Sequence, residues 1–140
     1  MRYYAAIDTN VLVSAFLKEN SIPDEVLKLA LDGPIIPLLS IEILEEYEEV
    51  LLRNKFSFDK EIIEMFLNEI SKRGIFLDRT KVNEPFIDVN DLVFYEIVMS
   101  GRNSTNAYLI TGNTKHFPKE TFIVTPREML DIVNNQDNQG

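Results

Sequence analysis

Cysteine is absent from this 140-residue chain, and histidine occurs once, as His116. The first absence excludes disulfides, zinc–thiolate centres and thiol catalysis. The second excludes a His-rich zinc site and leaves a serine triad only His116 as its base. There is no glycine-rich loop of the kind that cradles phosphates in P-loop or dinucleotide-binding proteins. No apolar run reaches the roughly 18 residues of a membrane span. The opening run to Ile7 is too short for a signal peptide, and Asp8 interrupts it. These absences lead to the expectation of a soluble cytoplasmic protein with no membrane partner. No internal repeat and no low-complexity block is found. Positive charge is also scarce: 14 Lys and Arg stand against 23 Asp and Glu, a formal net charge of −9. That counts against indiscriminate nucleic-acid binding, which rests on basic side chains neutralising phosphates. An acidic free surface suits a basic protein partner instead. Much of the charge lies in one run, Glu45-Glu46-Tyr47-Glu48-Glu49.

What is present is enough apolar sequence, 45% of residues, for one domain with a single core. Helical and strand patterns alternate, the signature of a parallel α/β sheet. Strands are expected at 3–7, 35–38, 75–77, 107–111 and 122–124. Pro34 and Pro37 flank and interrupt the second of these. Helices are expected over 11–18, 24–32, 41–53, from Ser57 or Asp59 to Gly74, over 91–100, and from Pro126 to about Val133. Ser40 and Asn90 are suited to N-cap two of them, and Gly33, Gly74 and Gly101 to end them. The domain is expected to occupy residues 1–133, with 134–140 a polar, disordered tail.

Four acidic or amide side chains fall just past strands or on helices. Asp8 follows the run Tyr3 to Ile7, and Thr9 and Asn10 follow it. Any of the three is a good helix N-cap, so one is free to cap while another faces a ligand. On helix 41–52, Ile43, Tyr47, Val50 and Leu51 form the apolar face. At about 100° per residue, Glu46 and Glu48 border that face, while Glu45 and Glu49 point to water. Periodicity alone does not choose between Glu46 and Glu48, and an ordinary solvated glutamate fits either. Asp91 opens the helix after Asn90. Acids there complement the helix dipole, which accounts for Asp88 as well, while Asn90 is accounted for as a capping residue. Glu96, five positions on, is placed either towards Asp91 or towards solvent. Asn113 follows the strand 107–111 and Gly112, as a turn residue or as a neutral ligand. Lys115 and His116 come next, in a polar turn that favours exposure. In open α/β sheets ligands bind outside the carboxyl ends of the strands. Carboxylates gathered there suit a hard cation such as Mg²⁺ or Mn²⁺.

The runs AAIDTNVLVSAFL (5–17), SIEILEEYEEVLLRNKF (40–56), DVNDLVFYEIVMS (88–100), YLITGNTKHFP (108–118) and IVTPREMLDIV (123–133) together resemble the PIN-domain family. The likeness is strongest to the group described as toxin components of toxin–antitoxin systems. They occur in the family's order over nearly the whole chain. The resemblance implies a PIN-like three-layer α/β/α sandwich with a central parallel sheet, and a Mg²⁺- or Mn²⁺-dependent endoribonuclease. It places metal-binding and catalytic roles on Asp8, Glu46 and Asp91, choosing Glu46 over Glu48. Asn113 joins the catalytic set where many relatives carry an acid, and Asn90 is a second such replacement. Thr9, Asn10, Thr111 and Lys115 are then the candidates for substrate contact, with Arg53 and Lys55 for the RNA backbone. The implied partners are RNA, single-stranded or looped because A-form duplex hides its base edges, and a cognate antitoxin; a homodimer is left open.

Two further readings compete. The Asn90 and Asn113 replacements and the negative charge also suit a catalytically weak PIN-like module that binds RNA or protein. A phosphoacceptor domain of response-regulator type wants a pair of acids after the first strand, and only Asp8 stands there.

Overall fold

The computed structural model describes residues 1–85 and 87–139. Five parallel strands form one sheet in the order β3-β2-β1-β4-β5. They are β1 (Tyr3–Ile7), β2 (Ile35–Leu39), β3 (Ile75–Phe76), β4 (Tyr108–Ile110) and β5 (Ile123–Val124). Six helices connect and cover them: α1 (Thr9–Leu17), α2 (Ile22–Asp32), α3 (Ile41–Leu51), α4 (Lys60–Arg73), α5 (Val89–Arg102) and α6 (Pro126–Gln139). The result is the expected α/β/α sandwich.

The strand order explains where the layers lie. The chain steps outward from β1 to β2 to β3, then returns past β1 to β4. Crossovers between parallel strands are right-handed, so the return helix α5 falls on the opposite face from the helices of the outward steps. Helix α5 packs on β1, β2 and β4, while α2 and α4 pack on β2. Both faces of the inner strands are therefore covered, and β2 is buried at all five positions. This is why the strands read as continuous apolar runs rather than alternating ones. Gly101 lets α5 sit close: a Cβ there would lie 2.8 Å from Leu38 Cδ1.

Pro37 is tolerated inside an interior strand because β3 is so short. It pairs only with Leu38 and Leu39, so the ladder on that side begins one residue beyond Pro37. Most helix bounds lie within two residues of the sequence pattern. Helix α5 differs in its cap: Asp88, not Asn90, is the N-cap, and its Oδ1 accepts from Asn90 N–H at 2.9 Å. Helix α6 continues through Gln139, past the tail expected from Asn134. Gly140, the end of that tail, lies outside the described residues. Among the described residues no helix is long and apolar enough to cross a membrane.

Candidate active site

Strands β1 and β4 are neighbours that lead away in opposite directions, so the gap between their carboxyl ends is the switch point of the sheet, the expected ligand crevice. Asp8 stands at the end of β1, and its backbone N–H donates to Ile110 O of β4 at 2.9 Å. An open cleft of about 440 Å³ lies here, and Asp8, Glu46, Asp88, Asp91, Asn90, Asn113 and His116 are among its lining residues. Among the described residues no lysine or arginine lines it. A larger cavity, about 560 Å³, lies beside the turn after β4, with Lys115, Lys119, Glu120 and Glu128 among its lining residues. It gathers no such acidic set, and Lys115 lines it rather than the acidic cleft.

Asp8 occupies the N-cap position of α1 but its side chain caps nothing. Its Oδ2 instead accepts from Thr111 Oγ1 at 2.7 Å and from Asn10 Nδ2 at 3.2 Å. The residue is only 5% exposed. Burial raises its pKa from 3.8 to about 6; the Thr111 hydroxyl opposes the rise, while the charges of Asp91 and Glu46 add to it. Asp91 is raised too, first by burial and then by Asp88 and Glu46, against the pull of His116. His116 Nδ1 lies 3.5 Å from Asp91 Oδ2.

Glu46 is half-buried and accepts from Thr9 Oγ1 at 2.6 Å. Glu48 faces elsewhere and, with Glu45, lines a groove between α3 and α4. Burial of the next residue, Tyr47, sets this choice. Its ring is fully enclosed, 6.1 Å from that of Phe94, and its hydroxyl donates to Ile7 O at 2.5 Å. One side chain thus ties the residue after Glu46 to the residue before Asp8.

The substrate-contact candidates fare differently. Thr111 is fully enclosed, and its hydroxyl holds Asp8 and accepts from Asn113 N–H at 3.0 Å, so it has no free face for a phosphate. Thr9 is 4% exposed and committed to Glu46. Asn10 bridges the two strand ends, donating to Asp8 and accepting from Gly112 N–H at 3.3 Å. Asn113 is exposed, and among the described residues its side-chain amide has no hydrogen-bond partner. Arg53 is spent on Glu49, 2.8 Å away.

Glu96 corrects an expectation. It faces neither the cleft nor solvent but is 4% exposed beneath the segment after β3. Its Oε1 lies 2.6 Å from Arg79 Nη2, and its Oε2 accepts from Val82 N–H at 3.0 Å. Arg79 also reaches Glu42 Oε2 at 2.7 Å and so joins α3 to α5. A lone acid inside the apolar stretch Val93 to Val98 was the available signal. Tyr47 was legible only as an apolar position, and Phe56, also in the cleft wall, carried no signal by periodicity.

The donors around the cleft are oxygens with one imidazole, a chemistry that fits a hard divalent ion. Their spacing is looser than a finished centre: among the described residues no group of three His, Cys, Asp or Glu side chains is close enough to hold an ion together.

The family model described as PIN domain matches residues 4–115. No curated protein matches the chain. Among solved structures it resembles VapBC2 from Rickettsia felis, determined bound to a DNA fragment from its promoter. That likeness covers 87% of this chain and 96% of the other at 20% identity, with a TM-score of 0.55, and is a likeness of fold. With the model spanning most of its length, the chain belongs to the PIN domain family.

Proposed function

We propose that the chain is a divalent-metal-dependent endoribonuclease, the toxin of a toxin–antitoxin pair. PIN domains are generally nucleases, and PIN nucleases generally use divalent metals. The observation that carries the reading is the acidic cleft at the switch point. Asp8, Glu46 and Asp91 stand around one opening, two of them with raised pKa, and among the described residues no lysine or arginine lines it to balance them. Such a site favours a cation. Asp8, Glu46 and Asp91 are the residues to hold it, with Asn113 as a neutral oxygen donor at the rim. When bound, a divalent ion supplies a Lewis acid for a phosphoryl oxygen and lowers the pKa of a water. Thr111 and Asn10 keep Asp8 turned into the cleft, and Thr9 does the same for Glu46. The two threonine hydroxyls and the Asn10 amide act on the carboxylates, which leaves the substrate phosphate to exposed groups at the rim.

The antitoxin partner rests on the likeness to the toxin group in the family's motifs and on the net charge of −9, which a basic polypeptide complements. A second reading, a PIN module that binds without cutting, is favoured by the amides at Asn90 and Asn113 and by the loose spacing of the acids.

Calorimetric titration with Mn²⁺ and cleavage of an end-labelled single-stranded RNA, each with wild type and Asp8→Asn, separate the two. The nuclease reading expects both metal binding and cleavage, and loss of both on substitution. Intact RNA at saturating Mn²⁺, or cleavage that survives the substitution, overturns it.

A further inference from the structure

The apolar wall of the acidic cleft has a use that the carboxylates do not explain. Phe56 lines that cleft, on the last residue of a short 3-10 turn, Asn54–Phe56, after α3. The residue is half-buried rather than enclosed, and it lines the cleft instead of completing the core. It is also packed against other rings. Phe58 stacks against it with centroids 5.4 Å apart and planes 10° from parallel. Phe58 in turn lies 5.7 Å from Phe16, and Phe16 lies 5.2 Å from Phe66 at the edge of the core. A row of four rings therefore runs from the hydrophobic core to the rim of the carboxylate cleft. Above Phe56 stands the ammonium of Lys55, 5.1 Å from the ring centroid. Lys55 is exposed and, among the described residues, forms no ion pair, unlike Arg53 two positions before it.

We propose that Phe56 is a nucleobase platform: an unpaired base of a single-stranded RNA stacks on its ring while the adjacent phosphate takes the Lys55 ammonium. The inference rests on the ribonuclease reading of the neighbouring carboxylates, and extends it to how the substrate is held. Every base has a π-face, so an aromatic platform accepts single strands of any sequence but no intact duplex, whose bases are already stacked. The net charge points the same way. A chain with net charge −9 repels a polyanion, so it needs a free cation beside its contact surface, and Lys55 is placed to supply one. The cation now over the ring is on a flexible stem, and moving it to a phosphate uncovers the face that the base takes up.

The test uses the full chain with Asp8→Asn, which on the proposed mechanism leaves RNA uncut. The probes are mixed-sequence single-stranded oligoribonucleotides carrying 2-aminopurine at successive positions. Binding is followed by anisotropy, and stacking by quenching of the 2-aminopurine emission. Quenching is expected at one or two adjacent positions. Phe56→Leu, which keeps apolar bulk but removes the π-face, should abolish that quench and weaken binding about tenfold. Phe56→Trp should restore both, and this rescue together with thermal melts separates loss of stacking from loss of folding. An abasic nucleotide at the quenched position should weaken binding to the protein that retains Phe56 and have no effect on the Phe56→Leu variant. Equal affinity and equal quench with and without the Phe56→Leu substitution would overturn the platform, and that is also the outcome expected if the ring serves a protein partner instead. Wild-type cleavage of the same oligonucleotides tells the two ideas apart: RNA that is cut without any quench removes the platform alone, whereas RNA neither bound nor cut removes the nuclease reading with it.

Discussion

Asp8 and Glu96 are two carboxylates buried to nearly the same depth, 5% and 4% exposed. Their surroundings differ in kind. Glu96 has a guanidinium and a backbone N–H, so each oxygen meets a matched donor. Asp8 has a threonine hydroxyl and an asparagine amide, and its nearest charges, Asp91 and Glu46, repel it. A buried acid with its own cation is part of the scaffold. Glu96 pins the segment after β3 onto α5, and through Arg79 it joins the two helices that carry Glu46 and Asp91. A buried acid with no cation is an unfinished charge balance, and the raised pKa of Asp8 is its mark. Burial alone does not separate a site from a strut; the partner does.

Arg79 is the cation that sets Glu96 apart from Asp8. Arg79→Met leaves Glu96 charged and unpaired inside the protein. The loss should be about 3 kcal/mol, at the low end for removing one partner of a buried pair because Arg79 itself is a third exposed. Chemical denaturation measures it. A cost below about 1 kcal/mol would mean that Val82 and water suffice for Glu96, and the contrast with Asp8 would collapse.

Metal should act on the other acid. A cation that binds only the folded cleft stabilises by mass action, by about 2.7 kcal/mol at a hundredfold excess over its dissociation constant. Melts in EDTA and in saturating Mn²⁺ should differ for wild type and coincide for Asp8→Asn. Coincident midpoints for wild type would favour the module that binds without catalysis.

Without metal, Asp8→Asn should stabilise. A carboxyl whose pKa rises from 3.8 unfolded to about 6 folded helps the fold while it is protonated, below about 3.8. That help is lost as pH rises through 6, and at pH 7 the ionised group opposes folding by up to about 3 kcal/mol. The asparagine oxygen can still accept from Thr111, but its new NH₂ needs a partner, so a gain of about 1–2 kcal/mol is expected at pH 7. Below pH 4 the advantage should vanish. The stability difference between the two proteins, measured from pH 4 to 7, should grow with pH; a flat difference would mean that Asp8 is ionised throughout.

Most of the frame was legible because buried parallel strands leave continuous apolar runs, as at Tyr3 to Ile7 and Ile35 to Leu39. Bounds slipped where two residues compete for one job. Asp88 and Asn90 both cap well, and only the backbone decides between them. The end of α6 slipped because Asn134 and Asn135 have weak helix propensity and the residues after Val133 have no apolar period, which pattern reading takes for a tail. In the site, Asp8, Asp91 and Asn113 follow from their places beside strand ends and helix starts, and Glu46 from the family's motifs. What no local pattern holds is a bond between distant residues. Thr111 reaches Asp8 across 103 positions and Thr9 reaches Glu46 across 37. Read locally, those threonines resemble phosphate ligands; in the fold their hydroxyls are already engaged. Glu96 was misplaced for the same reason, since its cation comes from a different segment, at Arg79.

Asn113→Asp would add one more acid to the cleft that already lacks a cation. Asn113 sits at the rim of the cleft, exposed, with its backbone N–H on Thr111 and its amide free of partners among the described residues. If it lies within reach of the ion, Asn113→Asp should tighten Mn²⁺ binding by about 1 kcal/mol, roughly fivefold, as expected for a charge acting through high-dielectric surroundings. The same charge should lower metal-free stability by a few tenths of a kcal/mol, through repulsion from Asp8 and Asp91 screened by water. The two effects have opposite signs and one cause, so they should appear together: tighter binding in calorimetry and a slightly lower melting point in EDTA. The ordinary role of a turn residue after Gly112 makes a different forecast, since Asp suits turns nearly as well as Asn and both quantities would stay put. An unchanged Mn²⁺ dissociation constant would therefore set Asn113 outside the coordination sphere, and would leave Asp8, Glu46 and Asp91 to hold the ion without it.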